Sequence, residues 1–156
     1  MSLASYIGCN VEVPLTPEDS NDLIIIGPCF SDEGLLEVVQ EHQFQTNYIY
    51  EVSSGWGIEL VEWQRLVDKK ESQNKLLTLC SIMEGYLKEG EYFEIYSCWV
   101  GEEEPKKVGE LNLKINYFDV AEICIPERTL VRIEKEKYKS DSTLGGVAFI
   151  VATRIL

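Results

Sequence analysis

The sequence predicts a single α+β domain in which a mostly antiparallel sheet of about six to eight strands carries two helices packed on one face. Three observations lead to this. The chain has 156 residues at 45% hydrophobic composition, which suits one buried core and is too apolar for a disordered acidic tail. Period-two patterns and β-branched apolar runs recur along most of its length, and only two stretches carry the three- and four-residue spacing of an amphipathic helix. The domain is expected over residues 4–156, with Met1-Ser2-Leu3 read as an added leader and left out of the functional argument.

Val11 and Val13 alternate with Asn10 and Glu12, a half-buried strand from about Tyr6 to Pro14. Leu23-Ile24-Ile25-Ile26 is apolar on both faces and predicts a buried central strand ended by Gly27-Pro28. Ser31 is a suitable N-cap, and Leu35, Leu36, Val38 and Val39 form the apolar stripe of a short helix over about Asp32 to His42. Tyr48–Val52 and Ile58–Trp63 read as an antiparallel hairpin joined by Ser53-Ser54-Gly55-Trp56-Gly57. Leu76, Leu79, Cys80, Met83 and Leu87 recur at helical steps up to Gly90, predicting a helix over about Ser72 to Glu89. Tyr92–Val100 is a strand with aromatics on both faces, running into an exposed acidic turn, Gly101-Glu102-Glu103-Glu104-Pro105. Glu110–Ile115, Ala121–Ile125, Thr129–Glu134 and Gly146–Ile155 complete the strands, and Val147–Ala152 is apolar enough to be central.

Charge is distributed unevenly. Residues 1–104 hold twenty acidic side chains against five basic ones, a balance of −15, whereas residues 105–156 hold seven against nine, a balance of +2. With no linker near Pro105, the asymmetry reads as two surfaces of one domain. A nucleic-acid backbone is repelled by the acidic surface and a basic protein is attracted to it. No run approaches the roughly 20 apolar residues of a membrane span, so no membrane association is expected. Cys9, Cys29, Cys80, Cys98 and Cys124 are dispersed and odd in number, which predicts free thiols in a reducing cytoplasm. Tyr6-Ile7-Gly8-Cys9 lacks the basic and apolar regions that a lipoprotein signal needs.

Catalytic and metal chemistry find little support. Cys29 is the one weak catalytic candidate, because it stands just before a predicted helix N-terminus, a position that lowers a thiol pKa. The only histidine, His42, falls roughly 15 Å along that helix, too far to be its base. Asp32 and Glu33 further oppose a thiolate. One histidine and unpaired cysteines predict no metal site, and no phosphate loop or nucleophile elbow predicts a cofactor.

Surface composition carries the functional expectation. Aromatics between Tyr48 and Trp99 are interleaved with acids, the composition of a protein-binding face with aromatic anchors and a charged rim. The leading expectation is a non-catalytic binding protein for a basic protein partner, with Glu51, Glu59, Glu62, Glu91 and Glu94 steering and Tyr48, Tyr50, Trp56 and Trp99 anchoring. Small acidic inhibitors of basic enzymes, immunity proteins among them, use such surfaces, an analogy of composition with no motif behind it. The alternative is a small-molecule binding protein or small enzyme with a pocket between sheet and helices, using Cys29, Tyr96 and Glu94.

Overall fold

The computed structural model describes residues 2–17, 19–28, 30, 33–52 and 56–136. Cys29, the 53–55 loop and the expected strand Val147–Ala152 lie outside the described residues. In chain order the elements are β1 (Leu3–Cys9), β2 (Ile26–Gly27), α1 (Glu33–Gln43), β3 (Tyr48–Val52), α2 (Leu66–Glu84), β4 (Tyr92–Trp99), β5 (Gly109–Lys114) and β6 (Thr129–Glu134). Six strands form one sheet in the order β2-β3-β1-β4-β6-β5. Every neighbouring pair is antiparallel except β5 with β6. This is the α+β architecture that the sequence predicts, with a mostly antiparallel sheet.

The centre of the sheet is β1 paired with β4, in the register Ser5↔Ser97, Ile7↔Ile95 and Cys9↔Phe93. All seven residues of β1 are buried, Leu3 included, so residue 3 is an integral part of the domain. Ser5 and Gly8 obscure the pattern of a buried strand. Ser5 is nevertheless accommodated, because its Oγ lies 2.6 Å from Ser97 Oγ and accepts a hydrogen bond from Ile58 N.

Successive side chains of β1, β4 and β6 alternate between two apolar clusters. Ile7, Cys9, Phe93, Ile95, Val131 and Ile133 pack with Leu76, Leu79, Cys80 and Met83 of α2. Ala4, Tyr6, Tyr96, Cys98 and Leu130 pack with Val39 of α1 and with Phe44. The helices therefore cover opposite faces, which corrects the expectation that both lie on one. Burying each large apolar side chain of α2 contributes about 1.5–3 kcal/mol.

Other boundaries also move. Leu23–Ile26 is not central: only Ile26 and Gly27 join the sheet, at its edge, and Leu23 is exposed. The hairpin of Tyr48–Val52 with Ile58–Trp63 does not form, since β3 pairs with β1 and β2. The 57–61 segment instead crosses the end of β1. Gly57 N donates to Leu3 O, and Leu60 bridges Ile125. Of Ala121–Ile125, only Ile125 makes a β contact. Helix α2 begins at Leu66, earlier than expected, since its first turn exposes Leu66 and Val67 and so departs from an amphipathic pattern. It ends at Glu84, and Gly90, at φ 86°, serves a later turn. Among the described residues no helix is long and apolar enough to cross a membrane.

Candidate binding cleft

A cleft of about 450 Å³ opens between α2 and the segment that crosses the end of β1. Asp68, Glu71, Ser72 and Lys75 line it from one face of α2, at the three- and four-residue steps that align side chains on a helix. Gly57 and Glu59 of the crossing segment line it too, with Trp56 and Gln64 from either side of that segment. Gly57 is required there because a Cβ would stand 2.8 Å from Ser5 Oγ and 2.9 Å from Leu3 O. The close approach holds Trp56 at the end of the central strands. There it meets Trp99 edge to face at 5.4 Å, a geometry favoured by aromatic quadrupoles.

Lys75 forms the floor. It is 5% exposed, and its ammonium donates to Trp56 O at 2.8 Å and lies 3.8 Å from Glu71 Oε1. Three carboxylates against this one cation leave the lining with two net negative charges. Asp68 is tied at 2.9 Å to Arg65, and that guanidinium holds its carboxyl below the usual range. Burial, followed by the nearby Glu127 charge, raises the Glu59 carboxyl above its usual range. Glu59, which also accepts a hydrogen bond from the backbone of Glu127, is thus a half-buried carboxylate lining a cleft with an aromatic wall.

The expected binding face divides into three groups. Trp56, Trp99 and Glu59 come together here, with Glu62 exposed beside them in sequence. Tyr48 and Glu91 stand at the other end of the sheet. Tyr48 pairs with Cys9, which pairs with Phe93, whereas Trp99 pairs with Leu3. Glu91 accepts a hydrogen bond from Lys88 N in a turn. Glu51, Tyr50 and Glu94 are buried and structural: Glu51 accepts from Phe30 N, Tyr50 Oη accepts from Val13 N, and Glu94 is paired with Arg132 at 3.1 Å.

Buried polar groups cluster on the α1 side. Glu103, expected in an exposed turn, is 1% exposed and accepts from Tyr6 Oη at 2.7 Å and Gly101 N at 2.9 Å. Gln43 donates to Glu103 O and Pro105 O, fastening the same loop to α1. Burial and the Glu103 bond push the Tyr6 hydroxyl far above its usual range. Tyr96 and Glu94, expected in a pocket, are buried on this side; burial is the main cause that pushes the Tyr96 hydroxyl up to about 12.

Of Asp68, Glu71 and Lys75, only Lys75 falls within the helix that the sequence predicts, and none is marked there as a site residue. Their convergence on Glu59 depends on the crossing segment, which no local pattern announces. Among the described residues no group of three or more histidine, cysteine, aspartate or glutamate side chains is arranged to hold a metal. Comparisons with protein-family models, curated proteins and solved structures find no match to this chain.

Proposed function

We propose that this is a non-catalytic binding protein for a basic protein partner, and that the cleft beside Trp56 receives a cationic side chain of that partner. The observation that carries this reading is the convergence of Glu59, Asp68 and Glu71 on an aromatic-walled cleft of about 450 Å³. A cation seated there meets carboxylates and an indole, two groups that attract positive charge by different means. Net charge of −13 draws a basic partner toward the surface before contact.

Affinity capture from a cell lysate tests the reading. Basic proteins bound by the wild type are expected to be lost when Glu59 and Glu71 are both changed to Gln, and to bind more slowly as ionic strength rises. Glu91→Gln, at the far end of the sheet, is the control and should leave capture intact. Capture that ignores both salt and the cleft substitutions would remove the cleft from the account. A second reading, a small-molecule site, is favoured by the cleft's volume, which lies in the range of such sites. It predicts instead that a low-molecular-weight extract protects the folded protein against heat.

A further inference from the structure

We propose that the partner segment is amphipathic, placing an arginine in the cleft against Trp56 and an apolar side chain on the exposed patch of Trp63, Leu66 and Val67. This rests on the reading of the cleft as a cation site and adds the apolar anchor beside it. Trp63 is 81% exposed, Leu66 68% and Val67 65%. Single exposed apolar side chains are ordinary, but three large ones here fall within five residues, at the start of α2 and in the turn before it.

The patch adjoins the cleft. Trp63 immediately precedes Gln64 and Val67 immediately precedes Asp68, and both Gln64 and Asp68 line the cleft. Val67 is also one helical turn before Glu71, so the two are surface neighbours on α2. An occupant that covers Val67 and Trp63 therefore reaches the carboxylates without leaving the surface.

Charge decides what that occupant is. The patch itself is balanced, with Glu62, Asp68 and Glu71 against Arg65, Lys69 and Lys70, so the selecting charge is that of the adjoining cleft, where Glu59, Asp68 and Glu71 face the single cation Lys75. A second copy of this chain would bring another net −13 against the same surface, and an anionic lipid surface would be repelled as well. A basic peptide is complementary in both charge and apolarity. Arginine fits better than lysine because its planar guanidinium stacks on an indole and bonds a carboxylate through two donors at once. Exposed tryptophans are moreover the side chains on which binding energy concentrates.

The test uses the three tryptophan indole signals in NMR titrations. N-acetylarginine amide should shift the Trp56 signal saturably. Peptide amides carrying one leucine and one arginine separated by zero to three glycines are then compared with it. At least one should bind roughly tenfold tighter and also shift Trp63, and Trp63→Ser should abolish that gain while leaving the binding of N-acetylarginine amide intact. If no leucine peptide exceeds N-acetylarginine amide, or if the gain survives Trp63→Ser, the apolar anchor is wrong although the cation site stands. A Trp56 signal that N-acetylarginine amide leaves unmoved overturns the cation site and the anchor together.

Discussion

Acidic residues of the sheet's α1 side and those of the cleft have the same chemistry and opposite roles. Glu103 and Glu94 are 1% exposed, and each spends its charge inside the protein, on Tyr6 and Gly101 or on Arg132. Glu59 and Glu71 face a cleft whose only lining cation is the buried Lys75. A net charge therefore overstates the acidity that the surface presents. What matters is which carboxylates remain uncompensated where another molecule can reach them.

The largest expected effect breaks the structural half of this contrast. Glu103→Ala strands the buried Tyr6 hydroxyl and the Gly101 amide, and should cost about 3 kcal/mol in chemical denaturation. Folded protein that remains should bind N-acetylarginine amide normally. Arg132→Ala, which leaves Glu94 unpaired, should cost about 2–3 kcal/mol, again without touching the cleft.

Gly57→Ala couples the two halves. Its Cβ would press on Ser5 and on the Leu3 carbonyl, so a loss of about 2 kcal/mol is expected together with weakened binding of N-acetylarginine amide.

Glu59→Gln should sharpen the contrast by moving stability and binding in opposite directions. Burial raises this carboxyl, so the folded state holds its proton to a higher pH than the unfolded chain does. Ionisation with rising pH therefore costs stability. The penalty is complete at neutral pH and vanishes once pH falls below the ordinary value of 4.5. Thermal melts should show the variant slightly more stable than wild type at pH 7, a gain that disappears at pH 4, while binding of the arginine amide weakens.

The smallest effect concerns the thiols. Burial raises Cys9 and Cys98 and pushes Cys80 up to about 12, whereas Cys124 is exposed. Among these four, an alkylating reagent at pH 8 should modify Cys124 first and the others only on unfolding, as mass spectrometry of timed samples would show.

Legibility in the sequence followed local pattern. Strand β6 has the bounds that its composition predicts, and β4 and the helix around Leu76–Met83 were equally plain because a regular period survives in them. β1 was displaced because Ser5 and Gly8 sit among its buried residues, and their acceptability depends on Ser97, Phe44 and Thr46 from distant parts of the chain. The same limit governs the site. Trp56 and Glu59 were expected on one binding face, and Trp56 is exposed and lines the cleft with Glu59. Glu51 and Glu94 were placed on the surface because alternation in a strand does not reveal that both faces are covered. Asp68, Glu71 and Lys75 join the site only through the crossing of residues 57–61 over the end of β1, a tertiary event with no sequence period.

The central claim is that the net negative lining of the cleft, and not the acidity of the chain as a whole, attracts a basic partner. Titration of N-acetylarginine amide against the Trp56 indole signal, in wild type and in the Glu59→Gln, Glu71→Gln double variant, tests it directly. A saturable shift that weakens with salt and is lost in the variant is the predicted result. An unmoved Trp56 signal, or an equal shift in both proteins, would contradict it.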